Sequence, residues 1–443
     1  PNMSPAKFTF DINATPNCAN DYVVFGLNVP GSSTQPNLVA FNNVYSGAIG
    51  TSIPITSASE SGTTVTIMTP PSTFATGNFV TISGVSPAGY NGTFPITVIN
   101  SSQFTYTAAL GLGGATTSGA TAVQSGICGL NPSVAWAYNV SSVNGSILTS
   151  PALSMDGSQI AFIESAASSA TFHVLKIGNT GNNGSFNSIP NQYSAAQPDN
   201  TGINNNATLL SLIYTTNGGN TRSSPYVDYS NDVAYFGDNN GNLYKTNCVF
   251  TCITNGLQLS IASGWPVALA PVGTLMASPV LDSTTGKIFV GGSNGVLYML
   301  PLAACPGAGC AASIGGTTVG FNGPNGALID GVLLDNTFQT LFVSAGRNGS
   351  ASSAPANVVE LNESLARLAT LTMNANAYDI ANGALDDEYF NNSVGGSAVT
   401  GNGYFCGPGA GSGQAFIFTV SFGATGALSA ANPPIISSYS SLN

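Results

Sequence analysis

Hydrophobic positions along the chain fall in short runs separated by polar turns. The runs are rich in Val, Ile, Phe and Tyr, and Asn-Gly or Gly-Gly pairs often divide them. Such runs and turns are typical of antiparallel β-hairpins. The 3.6-residue spacing of an amphipathic helix is absent, and Gly or Pro interrupts nearly every window of ten residues. The pattern therefore predicts an all-β protein.

The runs recur as a repeated unit. Segment 224–244 contains Ser-Pro-Tyr-Val-Asp, then Val-Ala-Tyr-Phe-Gly, then Asn-Gly and Leu-Tyr, and segment 278–298 repeats this order. A looser copy runs from 331 to 361. In each copy an aspartate lies seven residues before an aromatic residue, and these aspartates are 54 and 53 residues apart: Asp228, Asp282 and Asp335. A unit of a few strands at this period predicts one blade of a β-propeller.

The number of second-strand runs predicts about six blades. These runs are centred on Phe25, Phe162, Tyr235, Phe289, Phe342 and Phe405. The second unit carries an added Asn/Gly-rich spacer at about 179–222, and the first unit shows no Ser-Pro strand. We expect the C-terminal run 434–438 to fill that vacant inner position, since an open ring leaves unpaired edges. A seventh blade shared between the termini is the alternative. The run 7–12 is then surplus and available for strand addition to another copy.

The stretch between Gly50 and Gly126 breaks the period. It contains alternating strand-like runs at 65–67, 79–82, 93–99 and 104–106, joined by Thr, Ser and Gly turns. Removing it leaves a short connection from Tyr45 to the run 134–138. We therefore predict a propeller of residues 1–51 and 125–443, with a small β-domain of residues 52–124 inserted into the first blade.

The unit Ser-Pro-x-x-Asp, strand, Gly-x-x-Asn-Gly-x-Leu-Tyr resembles the repeats of the PQQ-like (quinoprotein) β-propeller superfamily, over about 148–422. The resemblance implies a propeller fold. In the enzymes of that superfamily the quinone stacks on a Trp beside a vicinal disulfide, and Ca²⁺ is held by carboxylate and Asn ligands. Here no two cysteines are adjacent, and Trp136 and Trp265 lack that setting. We therefore expect no quinone cofactor. The insertion looks like small β-modules of surface and phage-tail proteins.

Charged residues are rare, at 6% of 443 residues against 43% hydrophobic residues, with a net charge of −11. Average soluble domains are about 25% charged, so the surface must consist of neutral polar groups. The hydrophobic content is sufficient for large cores and excludes charge-driven disorder. The acidic balance excludes nucleic acid as a partner, and no apolar run is long enough to span a membrane as a helix. Few Lys and Arg sites for proteases and a Ser/Thr/Asn/Gly surface favour an extracellular or cell-surface protein.

Seven cysteines are present. Three pairs are disulfide candidates, namely Cys18 with Cys128, Cys248 with Cys252, and Cys305 with Cys310. The first pair brackets the insertion and the others close small loops, as expected in an oxidising compartment. Cys406 is left over, and its apolar neighbours predict a buried free thiol. Zinc sites need Cys-x-x-Cys or Cys/His clusters, which the chain lacks, so we predict no metal site.

Candidate catalytic groups are few. The three repeat aspartates are either a ring of carboxylates around a channel or acceptors for turn N–H groups, and the second role is the usual one. Acidic residues 386–388 offer oxygen ligands for Ca²⁺, and the alternative is a solvated loop. Residues 238–242 begin like a calcium loop but lack its later Glu, which favours a hairpin turn. His173, the one histidine, is expected to be structural or in an edge strand, because no nucleophile elbow is present.

These observations predict no enzyme active site, no cofactor and no metal. We expect a secreted structural or adhesive β-propeller that contacts surface proteins or glycans, or other copies of itself in a filament built by strand addition. The alternative is an extracellular enzyme, glycan-acting or quinone-related, whose paired carboxylates lie in the central channel.

Overall fold

The computed structural model of the chain describes residues 4–9, 15–32, 35–140, 144–177, 191–192, 208–215, 221–307, 309–320, 327–346, 355–374, 380–386, 388–389, 401–408, 415–422, 427–428 and 435–438. Nearly all regular structure in these residues is β-strand, in eight sheets. Six sheets follow the sequence repeat and two lie in the insertion. The protein is all-β, and its repeated antiparallel sheets are the blades of a β-propeller, as the repeats predict.

Blade 1 begins with the N-terminal run. Its strands are β1 (Ala6–Phe8), β2 (Tyr22–Gly26), β3 (Leu38–Asn42) and, after the insertion, a strand at Ser133–Tyr138. β1 pairs with β2, and Ser4-Pro5 precedes it as Ser-Pro precedes later inner strands. The expectation that the first blade lacks a Ser-Pro strand is therefore wrong. The sequence marks a strand at 7–12 but does not assign it to this blade, because β1 is three residues long with Lys7 at its centre and differs from the later inner strands.

The insertion contains two four-stranded sheets. Its strands are β4 (Ile53–Pro54), β5 (Ser57–Ser61), β6 (Thr64–Met68), β7 (Phe79–Ser83), β8 (Gly92–Pro95), β9 (Thr97–Asn100), β10 (Gln103–Thr107) and β11 (Thr121–Ser125), with a 3-10 turn at Ala88–Tyr90. The strand orders are β5-β6-β10-β9 and β4-β11-β7-β8. Alternate residues of both sheets share one hydrophobic cluster, whose buried members all come from residues 55–122. The two sheets therefore form a sandwich with its own core.

The insertion leaves blade 1 through a narrow neck. Ala48 forms a β-bridge with Ser125, and the N–H of Ile49 donates to the carbonyl of Gln124 at 2.7 Å. The disulfide between Cys18 and Cys128 lies beside it. Both ends of the insertion thus start from one place, as a removable domain requires. That residues 52–124 fold independently stays a prediction.

Blade 1 is completed by β12 (Ser133–Tyr138), and three blades follow. Blade 2 contains β13 (Ser146–Ile147), β14 (Ala152–Leu153), β15 (Gln159–Ser165), β16 (Ala170–Lys176), β17 (Asn191–Gln192) and β18 (Thr208–Thr215). Blade 3 contains β19 (Tyr226–Asp228), β20 (Val233–Gly237), β21 (Asn242–Lys245), the helical turn α1 (Thr251–Thr254) and β22 (Val267–Ala268). Blade 4 contains β23 (Val280–Asp282), β24 (Lys287–Gly291), β25 (Val296–Pro301), a 3-10 turn (Leu302–Ala304), α2 (Cys310–Ser313) and β26 (Gly315–Thr318). β18 lies inside the expected spacer 179–222, which is therefore not wholly a spacer.

The last two blades also pair in chain order. Blade 5 contains β27 (Leu333–Asp335), β28 (Thr340–Ala345), β29 (Ala356–Asn362) and β30 (Arg367–Asn374), and blade 6 contains β31 (Ala381–Leu385), β32 (Asn402–Pro408), β33 (Ala415–Ser421) and β34 (Ile435–Ser438). β34 pairs with β33 at the outer side of blade 6. The C-terminal run therefore does not fill blade 1, whose inner position belongs to β1. Since β1 is in use there, the N-terminal run is not surplus.

Hydrophobic clusters join neighbouring blades, because each second strand points alternate residues to its two sides. In blade 4, Ile288 packs towards blade 3 and Phe289 towards blade 5. Similar clusters join blades 1 and 2, 2 and 3, and 5 and 6. Among the described residues, no core cluster joins blade 6 to blade 1.

Candidate functional site

A hydrogen-bonded chain of three side chains crosses blade 2. His173 on β16 lies opposite Ser211 on β18 and opposite Phe162 on β15, and Glu164 follows Phe162 by two residues on the same face. The imidazole Nε2 lies 3.0 Å from Glu164 Oε2, and Nδ1 lies 2.9 Å from Ser211 Oγ. The strand register therefore assembles a carboxylate, an imidazole and a hydroxyl in sequence.

Burial differs along this chain. Glu164 and His173 are fully buried, whereas Ser211 is exposed. Glu164 Oε1 accepts the N–H of Gly145 at 2.8 Å, and the Phe162 ring stacks on the imidazole at 5.1 Å. A buried carboxylate requires such partners, because leaving it unpaired is costly. The site is thus dry at one end and open to solvent at the other.

The buried end continues into blade 1. Asn37 Nδ2 donates to the carbonyl of Gly145 at 3.1 Å, and its Oδ1 accepts the N–H of Val140 at 2.9 Å. The N–H of Gly31 also donates to the carbonyl of Gly145, at 3.1 Å. These bonds couple Glu164 to the neighbouring blade. His173 lies in a strand paired on both sides, so the edge-strand alternative is wrong.

The order carboxylate–imidazole–hydroxyl is that of a hydrolase relay. The tautomer that suits both partners carries its proton on Nε2 towards Glu164 and accepts the Ser211 hydroxyl proton at Nδ1; this is an assignment from the geometry. Ser211, however, lies within an extended strand rather than on a strand-to-helix elbow. Sequence reasoning missed Glu164 and Ser211, since they are nine and 38 residues from His173 and meet it only through strand register.

The Ser-Pro serines form a second series of contacts. The N–H of Ser4 donates to Ser150 Oγ at 2.8 Å, that of Ser150 to Ser224 Oγ at 2.9 Å, and that of Ser224 to Ser278 Oγ at 2.9 Å. Ser150 and Ser224 thus each use an N–H and a hydroxyl to join the inner strands of adjacent blades. In blade 5 the equivalent position is Gly331, which has no hydroxyl. The repeated serine is therefore structural.

The repeat aspartates accept backbone N–H groups of the turns that follow them. Asp228 accepts from Ser230 and Asn231, Asp282 from Thr284, and Asp335 from Thr337 and Phe338. The turn role is confirmed. The carboxylates are engaged in their own turns, which removes the basis for a ring of catalytic carboxylates.

One aspartate has a further acidic partner. The Asp282 carboxyl lies within interaction distance of Glu363, the residue after β29. Burial and then the Asp282 carboxyl raise the pKa of Glu363. Burial also opposes ionisation of Asp282, but bonds from Glu363 and Thr285 outweigh it and lower its pKa. Lys287 Nζ lies 3.2 Å from Glu363 Oε2. Burial and the neighbouring Asp282 carboxyl thus favour the protonated form of Glu363.

The aspartates of both predicted calcium sites accept hydrogen bonds from nearby backbone N–H groups. Asp386 accepts the N–H groups of Tyr389 and Asn402, and Asp387 lies outside the described residues. Asp238 accepts the N–H groups of Asn240 and Asn242, which confirms the hairpin turn. Within the described part of the chain, no three acidic, His or Cys side chains are grouped to hold a metal.

The three predicted cysteine pairs lie at disulfide distance. Their Cα separations are 5.3 Å for Cys18–Cys128, 5.5 Å for Cys248–Cys252 and 4.7 Å for Cys305–Cys310. Cys406 is a free thiol, but it is exposed, so the prediction of a buried thiol is wrong. Its neighbour Phe405 takes the buried side of β32, and alternation turns Cys406 to the opposite face.

None of the helices in the described residues is long and apolar enough to cross a membrane. No protein-family model matches the chain, and no curated protein matches it.

Solved structures of low similarity were found. A chain in the crystal structure of the mitotic checkpoint complex has 9% identity and a TM-score of 0.39, over 70% of this chain and 68% of that chain. Two Sqt1 structures from Chaetomium thermophilum have 11% and 12% identity and TM-scores of 0.39 and 0.37, each over 68% of this chain. They are matched over 62% and 61% of their own length, less than two thirds. These similarities assign no family, and the propeller fold rests on the blades themselves.

Proposed function

We propose that the protein is a secreted structural or adhesive component of a cell surface, which contacts glycans or proteins and other copies of itself. Three disulfide-distance pairs support an oxidising compartment. The low charge of 6% supports contacts made through neutral polar groups. We also propose that the blades are quinoprotein-type repeats without the cofactor, on the evidence of the shared Ser-Pro and Asn-Gly motifs.

The observation that carries the proposal is the outer face of sheet β5-β6-β10-β9. One row of cross-strand neighbours spans all four strands, Ser59, Thr66, Thr105 and Thr97, and a second row spans three strands, Ser61, Thr64 and Thr107. These residues are exposed or half-exposed. The outward positions of this sheet, which also include Met68, Gln103 and Ile99, carry no charge. We name this surface the hydroxyl face.

The hydroxyl face suits a neutral, hydroxyl-rich ligand. Each Ser or Thr both donates and accepts a hydrogen bond, and neighbouring strands repeat at about 4.8 Å. Binding a glycan there removes no ionised group from water. The desolvation free energy that weakens charged interfaces is therefore absent. Rigid strands also lose little conformational entropy on binding.

The test is a triple variant with Ser59→Ala, Thr66→Val and Thr105→Val. Thr and Val have similar shapes and both suit strands, so the sheet should persist while the hydrogen bonds are lost. Binding to a printed set of neutral and acidic oligosaccharides should weaken at least tenfold. The matched control, Ser283→Ala with Thr284→Val, removes two exposed hydroxyls from a turn of blade 4 and should bind as the native protein does. Equal binding by all three proteins would refute the role of this face.

A hydrolase is the second candidate function, and the Glu164–His173–Ser211 chain is the observation that favours it. A fluorophosphonate probe reacts with serines activated by such a relay. Labelling of Ser211 that disappears in His173→Leu would support the enzyme. A structural role predicts no labelling.

A further inference from the structure

Internal blade junctions follow one rule of burial. The second strand of each of blades 2 to 6 carries an aromatic residue that is 0% exposed because a neighbouring blade covers it: Phe162, Phe236, Phe289, Phe342 and Phe405. In blades 2 to 5 the residues next to them in sequence point to the opposite side and meet the other neighbour. A blade in this protein therefore needs cover on both faces.

Two blade faces lack this cover. On blade 1, Phe25 and Phe41 contact each other edge-to-face at 6.0 Å but stay partly exposed, and Val134 beside them is 55% exposed. On blade 6, Tyr404 is 38% exposed and Cys406 is exposed. We name these surfaces the blade 1 face and the blade 6 face. They flank the one junction that no core cluster of the described residues fills.

The chemistry of the two faces is compatible. Ile417 and Thr419 lie opposite Cys406 and Tyr404 in register, and Ser421 lies opposite Asn402 at the end of the same face. Asn402 Nδ2 donates to the Asp386 carboxylate, so the described part of the blade 6 face is apolar at its centre and polar and acidic at that end. On the blade 1 face the register adds Lys7 next to Val23, and its ammonium lies 4.5 Å from the Tyr45 ring centroid. No like charges oppose each other across such a junction in the residues described. Apolar burial is then the driving force.

We propose that the two faces bind each other between copies of the chain, with the blade 6 face of one copy on the blade 1 face of the next. Among the residues that the structure describes, neither face is covered by the other end of the chain, and we assign their cover to a second copy. The contact continues the blade-on-blade packing that already joins the six blades. Because the two surfaces differ, the contact is head-to-tail, and a chain of such contacts extends into filaments unless its rotation closes a ring.

This inference rests on the proposed structural function and replaces its route of assembly. Strand addition from the N-terminal run is no longer needed, since β1 already pairs with β2. The partner is a second copy of this chain, and the contact is between sheet faces rather than strand edges.

Complementation tests the inference. Phe25→Asp places a charge in the blade 1 face, and Tyr404→Asp places one in the blade 6 face. Every contact needs one intact face of each kind, so neither variant can associate with itself. Light scattering after size exclusion should give 44.6 kDa for each variant alone. The mixture should give twice that mass, because each variant supplies the face that the other has lost.

Met155→Asp is the matched control. Met155 is 84% exposed in the turn after β14, away from both faces, and this variant should form polymers as the native chain does. Unchanged thermal unfolding shows that each variant is folded. Polymers that persist in both face variants, or a native chain that is monomeric at all concentrations, would overturn the inference.

Cross-linking separates assembly from closure within one chain. Val134→Cys adds a thiol to the blade 1 face, and Cys406 supplies the thiol of the blade 6 face. A short bis-maleimide should give a ladder of covalent oligomers, and Cys406→Ser in the same background should abolish it. A cross-linked monomer would show that one chain closes its own ring, and two uncoupled thiols would show that the faces do not meet; either result overturns the inference.

The proposed oligosaccharide binding and the proposed assembly can each be refuted without the other. Phe25→Asp should lose polymers but keep oligosaccharide binding by its hydroxyl face. Polymers without any oligosaccharide binding would refute the adhesive function and leave the assembly intact.

Discussion

Replacing His173 by Leu tests whether the Glu164–His173 pair holds a buried charge. Both side chains are fully buried, and their contact is 3.0 Å. Leucine fills a volume similar to the imidazole but donates no hydrogen bond. Glu164 would then keep the N–H of Gly145 and lose its main partner inside the blade.

The expected loss of unfolding free energy in His173→Leu follows from the burial of Glu164. Removing a hydrogen-bond partner of a buried carboxylate costs more than the about 1–3 kcal/mol of a neutral group, and about 3–5 kcal/mol where a buried charge loses its main partner. The bond to exposed Ser211 adds at most about 1 kcal/mol, and Ser211→Ala should cost no more than that. The double variant Glu164→Leu with His173→Leu also removes the buried Glu164 carboxylate. Its remaining cost is the lost hydrogen bond from the Gly145 N–H, about 0.5–1.5 kcal/mol.

Equilibrium urea unfolding at neutral pH, with the disulfides kept oxidised, gives the three free energies of unfolding. We expect His173→Leu to be the least stable variant and the double variant to recover part of the loss. A single-variant loss below about 1 kcal/mol would show that Glu164 carries no buried charge. A double variant less stable than the single one would show that the pair itself is strongly stabilising, contrary to the argument.

Three further predictions use other features. Joining Gly50 to Gly126 should delete the insertion and leave a cooperatively unfolding propeller, and global unfolding of the shortened chain would place the insertion in the core. Glu363→Gln should gain stability relative to the native protein as pH rises above about 4.5, the ordinary pKa of Glu, because the raised pKa of Glu363 makes its ionisation costly in the folded state and Gln does not ionise. Parallel pH profiles in urea would refute the raised pKa of Glu363. Replacing both cysteines of Cys18–Cys128 by Ala should cost about 5 kcal/mol, since the bond closes 110 residues, against about 2 kcal/mol for Cys248–Cys252, which closes four; calorimetry should rank their melting temperatures accordingly.

The sequence repeats predicted the blades because period-2 alternation and turn residues are local. Blades 3 and 4 lie where the Ser-Pro and Asn-Gly motifs place them, and the aspartates occupy the turns expected of them. The cysteine pairs could also be predicted, since two close short loops and one brackets the insertion. All these features depend on neighbours in sequence or on spacing.

What could not be predicted depends on which strands become neighbours. The run 7–12 was predicted as a strand, but its place in blade 1 was missed, because three residues with a central Lys do not resemble the other Ser-Pro strands. Glu164 and Ser211 carry no motif, and they meet His173 only because β15, β16 and β18 adjoin in one sheet. The exposure of Cys406 could not be inferred from its apolar neighbours, since it depends on which face of blade 6 is covered.

The split of blade 1 around the insertion affects the order in which the chain folds. β3 pairs with β12 across the whole segment 53–125, whereas the strands of the insertion are contiguous along the chain. Contacts of short sequence separation form sooner than distant ones, because they close smaller loops. During synthesis the sandwich can therefore complete its core before β12, the fourth strand of blade 1, has been made. The hydrogen bond from Ser4 to Ser150 forms later still, because Ser150 follows β12 in the chain. We expect the first blade of the chain to be among the last parts of its N-terminal half to become stable.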